Sequence, residues 1–148
     1  MMNIKVEYED FKKFQVKVQN KSSKINTQIA TEIKKSTFKI SRDAKNNLAS
    51  NGSVVTGNLR RGIGTNISQT QGEVHTSNIK YAIYVEKGTK PHIIKPKNKK
   101  MLYWKGASHP VKLVNHPGSQ AKPYLIPAFE KQKPEFIKAL QKVVKLNE

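Results

Sequence analysis

Apolar residues recur along the first third of the chain at two different periods. Ile4, Val6 and Tyr8 alternate with Lys5 and Glu7, the period of two that marks a short strand. Asp10 is a suitable cap for a following helix carrying Phe11, Phe14 and Val18 at helical spacing. Asn20-Lys21-Ser22-Ser23 reads as a break or a new cap. Beyond it Ile25, Ile29, Ile33, Ile40, Ala44 and Leu48 keep one apolar stripe over about seven turns, with Thr37 holding the place between Ile33 and Ile40. Asn51-Gly52-Ser53 ends this helix by Gly and Asn exit chemistry.

The middle of the chain turns β-like. Residues 62–68 and 72–77 are two short runs around Gln69-Thr70-Gln71-Gly72, a hairpin pattern. Residues 79–86 fit two templates: Ile79, Ala82, Ile83 and Glu86 a helical face, Tyr81, Ile83 and Val85 a strand. Gly88 immediately after favours the helix. Residues 92–95, 101–104 and 111–114 predict three short strands, separated by lysine-rich 96–100 and by 105–110. Pro117-Gly118-Ser119 is a turn. Pro127 suits the first turn of a last helix, with Phe129, Phe136, Ile137, Leu140, Val143 and Val144 apolar and Lys138, Lys142 and Lys145 opposite. Pro134 inside that pattern predicts a kink or a restart. The order implies one α+β domain over residues 1–148, an antiparallel sheet packed against a long N-terminal helix and a C-terminal helix. Residues 87–110 form an extended basic loop or hairpin within it.

Charge changes the picture most. Lys plus Arg number 28 against 10 acids, a net charge of +18. Self-repulsion on that scale opposes a compact monomer and favours an anionic partner: nucleic acid, a membrane surface or an acidic protein. From 87 to 122 there are nine lysines and no Asp or Glu, although lysine used for solubility is the plain alternative. The chain has no cysteine, which excludes a disulfide framework, Cys-based zinc sites and thiol catalysis. No apolar run approaches the roughly 18 residues of a membrane span. Residues 1–20 lack a signal-peptide core. A soluble product of the cytoplasm, without a membrane partner, is the expectation.

Catalytic sets were sought at their required spacings. His75, His92, His109 and His116 lack partners at the spacing of a metal-binding helix. His109-Pro110 and Asn115-His116-Pro117 have a faint likeness to the His and Asn of metal-dependent nucleases, without the supporting acid or second ligand. His116 reads better as a turn residue bonded to backbone. Gly57, Gly62 and Gly64 do not precede the Lys-Ser or Lys-Thr of a phosphate loop, and no Gly-x-Ser-x-Gly elbow occurs. The acids sit mostly beside lysines and offer no catalytic pair. No catalytic residue, metal ligand or cofactor is therefore expected. Tyr81, Tyr84, Tyr103 and Trp104 amid lysines are able to stack bases. The plainer expectation for Tyr81 and Tyr84 is core packing with hydroxyls at the rim. No zinc finger or helix-turn-helix pattern accompanies them. The lysine face of the C-terminal helix is a weak candidate for a membrane surface, because its apolar face is needed by the core.

Three segments together resemble one family. Val54-Val55-Thr56-Gly57-Asn58-Leu59-Arg60-Arg61-Gly62-Ile63 is similar to Pro-Val-Asp-Thr-Gly-x-Leu-Arg-x-Ser-Ile. Tyr81-Ala82-Ile83-Tyr84-Val85-Glu86-Lys87-Gly88-Thr89 is similar to Tyr-Ala-x-Tyr-Val-Glu-x-Gly-Thr. His116-Pro117-Gly118, followed by Lys122-Pro123-Tyr124-Leu125-Ile126-Pro127-Ala128-Phe129, is similar to a closing Pro-Phe-Leu-x-Pro-Ala. In order and spacing they resemble the small tail-completion or head–tail joining proteins of long-tailed bacteriophages. Ser53, Val55 and Gly62 stand where that pattern has Pro, Asp and Ser. The resemblance implies a virion structural protein of the neck or tail, made in the host cytoplasm and acting as a ring-like homo-oligomer. Its implied partners are connector or head-completion proteins and tail-terminator or tail-tube proteins, with DNA in the channel left open. The implied assembly residues are Thr56, Gly57, Leu59, Arg60, Arg61, Tyr81, Tyr84, Glu86, Gly88, Trp104, Pro117, Gly118, Pro123 and Pro127, with Lys95, Lys97, Lys99 and Lys100 on the basic loop. The residues suit that role physically. Thr56-Gly57 can turn the chain sharply. Glu86 is a plausible partner for Arg60 or Arg61, and Pro123 and Pro127 set a rigid approach to the last helix. Met101, Leu102, Tyr103 and Trp104 are too apolar to stay uncovered in service. The alternative function is a basic nucleic-acid-binding protein, and an enzyme ranks third.

Overall fold

The long apolar stripe forms one helix. In the computed structural model, which describes residues 2–5, 23–53 and 56–146, helix α1 spans Ser23–Ser50. Ile25, Ile29, Ile33, Ile40, Ala44 and Leu48 are all buried along it. Thr37 replaces an aliphatic residue in the stripe for a steric reason. A Cβ at Gly72 would collide with the Thr37 side chain, so a small residue on each side lets a β-hairpin lie across the helix. The Thr37 hydroxyl donates to the Ile33 carbonyl at 2.8 Å and is satisfied without water. After Ser50 the Asn51 and Ser53 N–H groups donate back to the Asn47 and Leu48 carbonyls, the expected Asn-Gly-Ser exit.

Strands β1 (Met2–Lys5), β2 (Ile63–Ile67) and β3 (Gly72–Thr76) form an antiparallel sheet in the order β1-β3-β2. Val74 and Thr76, two apart on β3, are buried with Ile63 of β2. Ser68 N–H donates to the Gln71 carbonyl at 2.8 Å and closes the expected hairpin. Val6 and Tyr8, the expected helix with Phe11, Phe14 and Val18, the break at 20–22, and Val54 and Val55 all lie outside the described residues.

Helices α2 (Asn58–Gly62) and α3 (Ala82–Lys87) are short; α4 spans Leu125–Lys145. The helical reading of 79–86 is the one the fold adopts. Helix α4 runs antiparallel along α1. Lys39 meets Glu135, Asp43 meets Lys131, and Asn47 meets the Tyr124 carbonyl. The N-terminal half of α1 packs on Phe136, Leu140 and Val143, while its C-terminal half joins Leu59, Ile63, Val74, Ala82, Tyr124 and Leu125 in the main core. Pro134 does not restart α4. Pro134 and Glu130 are both exposed, so the helical bond that proline removes lies on the solvent side, where water replaces it.

The expected strands at 101–104 and 111–114 are corrected. A second, two-stranded antiparallel sheet pairs β4 (His92–Ile94) with β5 (Val114–His116), and 101–104 contributes a lone bridge, Leu102 to Val111. The register is set at the base, where Thr89 pairs with Ser119, and Pro96 has no N–H to extend the ladder. Seven residues (95–101) then separate Ile94 from Leu102, against two (112–113) on the return, so the lysine-rich stretch loops out. The outermost pair of the hairpin is Thr89–Ser119, so it begins within the expected 87–110 and runs on to 119. The architecture is α+β, with antiparallel sheet against a long N-terminal and a C-terminal helix. Among the described residues no helix is long and apolar enough to cross a membrane.

Candidate functional site

Residues of 56–63, 81–89 and 122–129 share the core where α3 abuts the start of α4. The N-cap of α4 is Tyr124, whose side chain provides no cap, so the first-turn N–H groups need acceptors from elsewhere. Glu86, 3 % exposed on α3, supplies them. Its Oε2 accepts the N–H groups of Tyr124 at 2.9 Å and Leu125 at 3.0 Å, and its Oε1 accepts that of Ile126 at 2.9 Å. The next residue, Pro127, has no N–H. One carboxylate thus satisfies every free donor of the first turn, and its charge opposes the positive end of the helix dipole. This is also how a buried acid is tolerated: charge-assisted bonds replace its lost hydration.

The same stretch is held from its other side. Asn47 Nδ2 donates to the Tyr124 carbonyl at 2.9 Å and Asn51 Nδ2 to the Lys122 carbonyl at 3.2 Å, both from the end of α1. Lys122 N–H donates to the Val85 carbonyl at 2.8 Å. Tyr124 itself is fully buried. Burial pushes its phenol well above the ordinary tyrosine range, and the Glu86 and Tyr81 charges add to that. Residues 122–126 are therefore a clasped strap between α1 and α3.

The expected pairing of Glu86 with Arg60 or Arg61 is corrected. Among the described residues no ion pair joins them. The Glu86 oxygens are taken by backbone N–H groups, and Arg61 donates to the Thr56 carbonyl and Asn58 Oδ1. Arg60 is exposed and lines a cleft of about 470 Å³ with Leu48, Ser53, Leu59, Tyr81 and Val85. Leu59 is buried in the main core. Gly57 takes a left-handed φ of 75°, and Thr56 Oγ1 accepts the Asn58 N–H at 3.4 Å, the sharp turn expected of this pair. Core packing of Tyr81 and Tyr84 is also corrected: they are 46 % and 56 % exposed. Ala82 and Glu86, four apart, take the inward face of α3 and turn both tyrosines outward.

Beyond the clasp, residues 89–119 project as an arm. At its root Thr89 and Ser119 exchange backbone bonds of 2.9 and 3.1 Å. Gly88 and Gly118 flank that crossing with φ of 70° and 88°, and a Cβ on either would strike the opposite backbone. The His92 and His116 rings lie 5.0 Å apart above it, and His116 Nδ1 accepts the Gly118 N–H at 3.0 Å, the turn role expected of it. Lys95, Lys97, Lys99, Lys100 and Trp104 are exposed further out. Pro117, Pro123 and Pro127 are exposed around the strap.

Sequence reasoning missed the strap's anchors and a second network. Asp43 accepts bonds at Oδ2 from Lys131 Nζ and Gln132 Nε2, both 3.1 Å, and at Oδ1 from Arg42. Burial works to raise its pKa, but the bonds from Lys131, Arg42 and Gln132 outweigh it and hold the carboxyl below the ordinary range. Two signals were available: an acid beside Ala44 in the apolar stripe, and Gln132 midway between Ala128 and Phe136 on the inward face of α4. Among the described residues no group of three His, Asp or Glu side chains is placed to hold a metal ion. No family model, curated protein or solved structure matches this chain.

Proposed function

We propose that the chain is a virion structural protein of a tailed bacteriophage, acting at the neck or tail end by oligomeric assembly, not catalysis, to join a filled head to a tail. One observation carries the reading. Two segments resembling one family, 81–89 and 122–129, meet in one clasp, with Glu86 of the first bonded to the first turn of α4 in the second, and Leu59 of the remaining segment packs in the core beside them. The matched residues have distinct local jobs there. Gly57 turns the chain into α2, Gly88 permits the crossing at the arm root, and Pro127 removes the donor Glu86 does not reach.

Exposed apolar residues add support. Tyr81, Tyr84, Ile93, Tyr103 and Trp104 are at least half exposed or nearly so, as on surfaces that await a neighbour. Copies in a ring meet head-to-tail and close by rotation. Connector or head-completion proteins and tail-terminator or tail-tube proteins are the proposed neighbours. Nucleic-acid binding is the second reading, favoured by the acid-free arm with Tyr103 and Trp104 near its tip. Native mass measurement of the purified chain, alone and with candidate neck proteins, tests the choice. A closed ring or a stoichiometric co-assembly is expected. A monomer that joins none of them, with DNA affinity falling steeply as salt rises, would overturn the assembly reading, because that dependence reports phosphate contacts.

A further inference from the structure

We propose that the arm, residues 89–119, docks in an apolar groove with acidic walls on a different protein, not on a second copy of this chain. The inference rests on the assembly reading and names the chemistry of one of its partners. The arm cannot cover its own apolar residues. A two-stranded ribbon has no interior, and Ile93, Met101, Tyr103, Trp104 and Leu113 are 60 %, 41 %, 69 %, 50 % and 48 % exposed. Aromatic residues and Met are the types enriched where protein interfaces are buried.

Charge decides against a second copy. The arm carries seven of the 28 basic residues and none of the ten acids, which leaves 21 against 10, or +11, on the rest of the chain. Docking on a copy brings seven lysines against a body that is itself strongly positive. Among the described residues most of the body's acids are also committed: Glu86 and Asp43 are buried and bonded, Glu32 and Glu135 meet Lys35 and Lys39, and Glu73 accepts from Asn66. This charge balance favours an acidic acceptor on another chain. The mixture of side chains decides between protein and nucleic acid. Phosphates would suit the lysines, and bases would stack on Tyr103 and Trp104. Ile93, Met101 and Leu113 gain little from phosphate or sugar, whereas an apolar groove covers them. The root at Thr89 and Ser119 adjoins the Glu86 clasp, so a docked arm pulls directly on the joint of α3 and α4.

Trp104 is the chain's one tryptophan and makes the test direct. Its emission would be followed in the full-length protein on titration with a Glu-Glu-Leu repeat peptide, a Glu-only peptide of equal length, a short DNA duplex, and the protein itself at rising concentration. The repeat peptide should shift the emission to shorter wavelength and protect Trp104 from acrylamide; the other three should not. Ile93→Ser/Leu113→Ser should weaken peptide binding about tenfold or more, with unchanged circular dichroism and melting, since both residues are exposed. Equal protection by the Glu-only peptide or by DNA, a shift on concentration alone, or no response to the repeat peptide would overturn the proposal. A joining assay separates it from the assembly reading. If deletion of the protein abolishes joining but Ile93→Ser/Leu113→Ser joins normally, the assembly reading stands and the docking arm falls. If deletion leaves infectious particles, the assembly reading falls.

Discussion

Glu86 concentrates more structural consequence than any other described side chain, because its two oxygens satisfy three backbone donors across a span of 38 to 40 residues. Glu86→Ala leaves those donors without acceptors at a largely buried helix start. It should cost about 3 kcal/mol or more in urea unfolding, with Glu86→Gln intermediate because one oxygen remains. Arg60→Ala should add to Glu86→Ala within about 0.5 kcal/mol in a double-mutant cycle, since the two residues share no contact. A clear coupling energy would restore the ion pair that the geometry rejects. Asp43 gives a pH dependence. Its carboxyl is held below its ordinary range, so its contribution is present above the unfolded carboxylate value and is lost as pH falls through the folded one. Asp43→Asn should therefore cost about 1–2 kcal/mol at neutral pH, a gap that closes below about pH 4 in urea titrations at stepped pH. A gap that widens in acid would contradict the network. Glu86 stood out in the sequence as one of few acids in a basic region. Its partners were not legible, because backbone N–H groups leave no mark on residue identity. Arg60 and Arg61 drew the inference only because their charge is visible in the sequence.

At the scale of elements, period carried the reading wherever burial was one-sided. The α1 stripe, the β2–β3 hairpin and the inward face of α4 follow from spacing, and Thr37 in the stripe finds its reason in Gly72. Spacing misled where no core imposes it. In the arm the register comes from the Thr89–Ser119 root and from proline, so β5 lies at Val114–His116 and the apolar run at 101–104 forms no strand. The restart expected at Pro134 failed for a related reason: a proline on the solvent side of a packed helix loses little. The arm's stability should differ from the body's accordingly. Hydrogen exchange in the free protein should be faster at 92–94 and 114–116 than in β3 or α1, because those pairs have no buried face beneath them. Equal protection in arm and body would contradict an arm held by its own pairing alone.

For the whole molecule, fold class was legible and partners were not. Alternation and stripes report burial within one chain, whereas exposed apolar residues resemble core until the fold is known. Tyr81, the N-cap of α3, and Tyr84 within it illustrate this, since their spacing allows either face and only the inward turn of Ala82 and Glu86 resolves it. The charge of +18 was visible at once, yet it names a class of partner without choosing among them. We propose that the protein joins separately completed heads and tails. A joining protein acts after both are built, so its loss should leave each intact. Negative-stain microscopy of lysates from a phage deleted for this protein, counting full heads, empty heads, free tails and joined particles, tests that claim most directly. DNA-filled heads beside complete, unjoined tails are the predicted result. Empty heads would instead favour a nucleic-acid role in packaging, and normal infectious particles would contradict the structural assignment.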